Sequence, residues 1–485
     1  MIFTLALRSL RSRPVRSAVL AGGFGLGVSV MAALLGIGAV ILEQARAPEL
    51  VGGGDVIIGG TAGRVPNASF VLTDVLATGS RAAHVKAASP SSRAALYFVD
   101  GQGVTPVRAR GGIPSLERAL GDPETRGIAA WTDTAADREW VTRDPGAMLR
   151  AIDRFHPIPA LPPDAAQDGR SDQMPGRSSR ASSWAEWLYF NGQHGSTRAG
   201  TVRFYLTFLA GPRLESGRRT LGVRLQLERG GRMTAYADSV RVDDRELLDS
   251  APDLTAGANH VRVVGNEYRI AIDLPAESGS SRARGEIVLA ATPGRSLPPF
   301  SIRGAGGWVS GYVVPVMAGA LRGTVRAGAD EIDLNGGTGY HDHNWGFWEG
   351  VSWQWGQVHG NGMSFVFGRV YPPADVADAL RLPGFLVALG PDGPIGYATD
   401  VAIDETNQPG STHPERIRVQ GRSSSLSVML DMTIDQTTVT HMRGGSFGSD
   451  LDFLQLRAQY RVTGKAGDKP IDFSAPGSAE TFRGR

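Results

Sequence analysis

Between Gly339 and Val370 the chain reads GYHDHNWGFWEGVSWQWGQVHGNGMSFVFGRV, holding four of the protein's nine tryptophans and three of its nine histidines. At the two-residue period of a strand, His341, His343 and Trp345 share one face, and Tyr340, Asp342 and Asn344 share the other. Imidazoles are thereby separated from a carboxylate. A second strand is expected over Ser352–His359. Trp353, Trp355, Gln357 and His359 line one side of it, and Gly356 interrupts the other, where a bulge or close backbone approach is expected. Gly360-Asn361-Gly362 then turns the chain into Met363–Val370, so this pair reads as a hairpin.

Three chemistries fit these residue types. In the first, His341 and His343 with His359 from a neighbouring strand supply the three ligands of a catalytic zinc site. Histidines at i, i+2 coincide readily, however, and no acidic outer partner is identifiable from the sequence. No metal or other cofactor is therefore expected. In the second, Asp342 between two histidines is a carboxyl whose proton affinity an apolar pocket can raise. Trp345, Trp353 or Trp355 would then stabilise a cation by about 0.5–2 kcal/mol each. In the third, Asp342 and Asn344 cap turns, the histidines satisfy buried backbone groups, and the tryptophans fill a seam between β domains. That leaves a carrier for an apolar molecule. No Gly-x-Ser-x-Gly elbow is present, and Gly444-Gly-Ser446-Phe-Gly448 does not match one, so serine-hydrolase chemistry is unsupported.

The segment Tyr340-His341-Asp342-His343-Asn344-Trp345-Gly346, followed by Trp353-x-Trp355-Gly356, resembles the signature of the carotenoid 1,2-hydratase (hydroxyneurosporene synthase) superfamily, which includes AttH-like proteins. Glu186-Trp187-Leu188-Tyr189-Phe190-Asn191-Gly192 and Phe204-Tyr205-Leu206-Thr207-Phe208 are similar to the Glu-Trp-Trp-Tyr-x-x-Gly and Phe-x-x-Thr-Phe opening of those domains, with Leu188 in place of a tryptophan. The resemblance runs from about Ser183 to the C-terminus. It implies two consecutive lipocalin-like antiparallel β barrels and a lipophilic, isoprenoid or acyl-like ligand. In the hydratase branch it also implies a buried acid that protonates an isolated C=C bond before water adds. On this reading Asp342, His341 and His343 are the catalytic candidates. Trp345, Trp353, Trp355, Tyr340, Trp187 and Tyr189 are the substrate-binding ones. The first reading of function is a membrane-anchored lipocalin-like binder; a hydratase- or cyclase-type lyase with Asp342 as proton donor is the alternative.

The elements that must position these residues read as mainly β. Runs of about five to nine residues, such as Thr201–Leu209, Thr220–Leu227 and Tyr268–Leu274, alternate with Gly, Asp, Asn or Ser clusters, as barrels and sandwiches require. A second set runs from Gly339 to Leu451–Val462. The 64 glycines and 29 prolines agree with a turn-rich β architecture. Lys+Arg 50 against Asp+Glu 48 implies no nucleic-acid partner, and the absence of cysteine excludes disulfides and thiolate chemistry.

The N-terminus implies a membrane. Ala18–Leu42 is a run of 25 residues without a charge, preceded by Arg8, Arg11, Arg13 and Arg16. It is long enough to cross an apolar bilayer core of about 30 Å. The arginines place its start in the cytoplasm and the chain beyond Glu43 in the periplasm or its equivalent. Leu5–Gly63 resembles the beginning of FtsX-type permeases of ABC exporters, which implies ABC transporter subunits as partners. The expected organisation is an anchor over 1–48, a small α+β extracytoplasmic module over 49–156, a flexible linker over 157–182, and β domains over 183–335 and 336–485. His84 and His156 read as ordinary isolated histidines.

Overall fold

The computed structural model describes residues 12–51, 56–59, 82–100, 103–121, 131–134, 145–162 and 180–484, with interruptions at 198–199, 293–294, 392 and 443–450, and isolated positions between 68 and 137. The chain divides into two compact units, Met1–Pro66 with Lys86–Asp137, and Asn67–Val85 with Arg138–Arg485. The first contains a helix over Pro14–Val51, whose segment Pro14–Ile37 is long and apolar enough to cross a membrane. Side chains such as Phe24, Leu34 and Leu35 along it are exposed. It also holds an antiparallel hairpin, Ser91–Asp100 with Gly103–Gly112, and a short helix, Pro114–Ala119. Most of the expected linker, 163–179, lies outside the described residues.

The second unit is built from two antiparallel sheets, a nearly closed barrel and a half-barrel. In the first sheet the order of strands is 232–243, 218–229, 200–213, 184–197, 337–347, 309–327, 282–290, 267–275, 259–264 and 255–256. A bridge between Tyr236 and Ala276 brings its two halves together. The second sheet runs 393–398, 385–390, 363–371, 352–360, 469–484, 451–466, 426–442, 414–422 and 400–407. Each barrel has its own apolar core, and a third core of aromatic residues joins the two.

Several expectations are corrected here. The strand Gly337–Phe347 pairs with Trp184–Thr197 and Val309–Ala327 in the first sheet, so the change of sheet falls between Phe347 and Ser352 and not at residue 336. It therefore does not neighbour Ser352–Gly360 within a sheet. The helix Pro145–Ile152 and residues up to His156 belong to the β unit and not to the membrane-proximal module. Asp153 and Phe155 are buried, so the chain is already packed where the linker was expected to begin.

Several strands escape the sequence reading, Leu297–Arg303 and Asp330–Asp333 among them, and two of these are long. Val309–Ala327 is buried along nearly all of its first half, so it shows no alternation, and it contains Pro315. A proline in a central strand removes a ladder donor. The register shifts between Val313 and Val316, and this bulge absorbs it. Lys469–Gly484 carries two further prolines and likewise shows no clear strand signal. The expected hairpin is present: Gly360 pairs with Met363, and Asn361 and Gly362 both take positive φ, 51° and 72°. That is the backbone of a two-residue type I′ turn, which favours Asn-Gly.

Candidate functional site

The strand Gly337–Phe347 separates two polar constellations, as its alternation requires. On one face His341, His343 and Trp345 point into the first barrel. His343 Nδ1 lies 2.9 Å from Asp153 Oδ1, and its Nε2 lies 2.9 Å from Glu186 Oε1. His341 Nε2 is 3.0 Å from Asp153 Oδ2, while its Nδ1 is 3.0 Å from the carbonyl of Tyr189. Asp153 also accepts from the Tyr268 hydroxyl at 2.9 Å. His156, an isolated residue by its sequence surroundings, joins this cluster. Its ring Nδ1 is 2.8 Å from Glu186 Oε1, its backbone N–H donates to the same carboxylate, and its ring stacks on Trp345 at 4.1 Å.

Burial opposes charge on Asp153, Glu186 and His343, yet the pairing prevails. Asp153 is held down to about 2, because His341 and His343 favour its carboxylate more than burial disfavours it. Glu186 is lowered against burial by His156 and His343. His343, bridging two carboxylates, is raised to about 9 despite its burial. His341, His343, Asp153 and Glu186 have no accessible surface. His341 and His343 therefore stand in a buried hydrogen-bonded cluster and not at an open surface. The donor atoms of His156, Glu186 and His343 converge within 4.8 Å, but Glu186 Oε1 already takes a hydrogen bond from each imidazole. His359, the third ligand weighed for zinc, hydrogen-bonds Ser364 at 2.8 Å in the other sheet.

The opposite face looks into a cavity of about 390 Å³ lined by residues of both sheets. Asp342 and Asn344 reach it from the first sheet, as do Trp187 and Tyr189 from the neighbouring strand; Trp353 and Trp355 reach it from the second. Of the nine candidates named from sequence, Asp342, Trp187, Tyr189, Trp353 and Trp355 thus line one cavity. Tyr340 stands behind Asp342, and Trp345 lies on the far face against His156. Trp345 is fixed there by Gly311, where an added Cβ would meet its ring at 2.0 Å.

Asp342 ends a chain of hydroxyls. Trp355 Nε1 donates to Tyr312 Oη at 2.8 Å, Tyr312 and Tyr340 share a 2.6 Å hydrogen bond, and Tyr340 donates to Asp342 Oδ2 at 3.0 Å. Asn344 donates to the other oxygen at 2.8 Å. Burial nevertheless raises Asp342 well above the ordinary carboxylate range, helped by the negative charge of Glu480. Glu480 itself is raised by burial to about 7, with Tyr189 and Trp353 pulling it the other way. Sequence reasoning missed Asp153, Tyr312 and Glu480. The first sits in a loop without pattern, and the other two sit on the strands that lack a clear period.

No protein-family profile matches the chain, and no curated protein matches it. Among solved structures it is similar to a protein designated AttH from Nitrosomonas europaea, at 14% identity and a TM-score of 0.45, over 67% of this chain and 99% of that one. It is also similar to CghA, at 10% identity and a TM-score of 0.37, over 62% of this chain and 88% of that one. CghA with Sch210972 gives the same identity and TM-score over 69% of this chain and 94% of that one. At these values the likeness assigns no residue a role.

Proposed function

We propose that the protein is a membrane-anchored binder of a lipophilic small molecule, held in the cavity between the two sheets. The observation that carries this reading is the cavity's wall: tryptophan, tyrosine and phenylalanine side chains from both sheets enclose a volume within the range of small-molecule sites. Aromatic rings meet edge to face around it, Tyr189 against Trp355 at 6.0 Å and Phe300 against Phe385 at 5.3 Å. Isoprenoid or acyl chains match such a surface. Titration of the full-length protein in lipid nanodiscs with such ligands should quench tryptophan fluorescence, and no quenching across a broad panel would refute the binder.

A second reading is favoured by the direction in which Asp342 points. A carboxyl whose proton affinity burial raises, facing an apolar cavity and backed by Tyr340 and Tyr312, has the parts of a proton donor to an unsaturated carbon. That supports acid-catalysed hydratase- or cyclase-type chemistry, in keeping with the resemblance of Tyr340–Gly346. Asp342→Asn preserves size and hydrogen bonding while removing the proton. Unchanged ligand affinity with a loss of turnover of about a hundred-fold or more would support the enzyme; unchanged product would leave the binder alone.

A further inference from the structure

The cavity contains a carboxylate that the proton-donor reading of Asp342 does not use. Glu480 lies on the strand Lys469–Gly484, cross-strand from Trp355 on one side and Gln455 on the other. It is 9% exposed; the Tyr189 hydroxyl and Trp353 face its carboxyl, while its Oε1 has no hydrogen-bond partner of normal geometry. Gln455 Oε1 is also buried without a partner, and both residues line the same cavity. Buried acceptors are rarely left open, because desolvation without a replacing hydrogen bond is uncompensated, the more so when the group is charged. Here two of them sit side by side.

Aromatic rings surround this spot. Trp353 and Phe482 have ring centroids 3.8 Å apart, and Phe453 and Phe482 4.9 Å. Ring faces carry negative potential and attract cations. Asp342 is not the open group, since Tyr340 and Asn344 already donate to its two oxygens.

Building on the binder reading, we propose that the ligand is an apolar molecule bearing one primary or secondary ammonium. Glu480 is its counter-ion, Gln455 Oε1 accepts a second N–H, and Trp353 and Phe482 pack around the carbons next to the nitrogen. A quaternary ammonium would keep the ring contacts and lose both hydrogen bonds. Two arginines also line the cavity; Arg224 is paired with Glu277, and Arg369 donates to the carbonyl of Ala379. Arg369 Nε is open, so an acid-headed ligand is the rival.

Four probes with the same chain decide between these: decylamine, decyltrimethylammonium, decanol and decanoate, titrated by tryptophan fluorescence against the full-length protein in nanodiscs, with empty nanodiscs as the control. Decylamine should bind about ten-fold tighter than decanol or decanoate, equivalent to roughly 1.4 kcal/mol, with decyltrimethylammonium between. In Glu480→Gln the preference for decylamine over decanol should disappear, with far-UV circular dichroism and the thermal melt reporting that the fold is kept. Gln455→Met should narrow the gap between the primary and the quaternary amine. Equal binding of decanol and decylamine by the wild type would overturn the proposal and leave the lipophile site standing. A preference for decanoate would transfer the head group to Arg369. Survival of the amine preference in Glu480→Gln also overturns the proposal, and no binding of any probe removes the site itself.

Discussion

His343 Nδ1 lies 2.9 Å from Asp153 Oδ1, joining a strand of the first sheet to a loop 190 residues earlier in the chain. Both side chains are fully buried. This contact, together with the separately buried Glu480 of the cavity, makes stability depend on pH in three separable steps. Asp153 is lowered from 3.8 to about 2, so its contribution is complete above about 4 and disappears as pH falls through 2. His343 is raised from 6.5 to about 9, so its contribution is complete below about 6.5 and disappears as pH rises through 9. Glu480 is raised from 4.5 to about 7, which lowers stability progressively between those values. Thermal melts across this range should therefore peak near pH 4 to 5. His343→Gln should flatten the slope above pH 7, and Glu480→Gln the slope below it. An alkaline slope unchanged in His343→Gln would show that the bridge contributes nothing.

Tyr340 controls the proton on Asp342. Its hydroxyl favours the carboxylate, so Tyr340→Phe should raise Asp342 further and keep it protonated to higher pH. The carboxylic-acid C=O band in infrared difference spectra, assigned by its loss in Asp342→Asn, reads this directly. If catalysis is present, the alkaline limb of its pH profile should move the same way. A band that titrates at the same or a lower pH in Tyr340→Phe would break the link.

The Pro14–Val51 helix sets expectations for topology and partnership. A single span with a cytoplasmic N-terminus predicts that alkaline-phosphatase fusions downstream of residue 63 are active and β-galactosidase fusions at the same points are not. The reverse pattern would invert the protein. If the resemblance of Leu5–Gly63 to FtsX-type permeases extends to partnership, the protein should co-purify with ABC permease or ATPase subunits, tested by pull-down from several detergents. Consistent failure would reduce the N-terminal segment to an anchor.

Much of the site was legible because strand geometry is local. Alternation alone assigned His341 and His343 to one face and Asp342 to the other, and the structure keeps them there. What alternation cannot say is which face meets a cavity. His341 and His343, grouped by sequence with the catalytic candidates, lie buried against Asp153, Glu186 and the Tyr189 carbonyl. Asp342 alone of the three faces the space where a ligand fits.

The sequence by itself determined the mainly β class, the Asn361-Gly362 turn and the membrane-length helix, because period, turn chemistry and uninterrupted hydrophobicity are properties of neighbouring residues. Only the tertiary structure decided that Asp153, Glu186 and His156 close around the histidines, and that Glu480 opens into the cavity beside Asp342. Those partners come from strands and loops far apart in the chain. Two of the strands involved, Val309–Ala327 and Lys469–Gly484, are buried or interrupted by proline in ways that erase the period by which a strand is recognised.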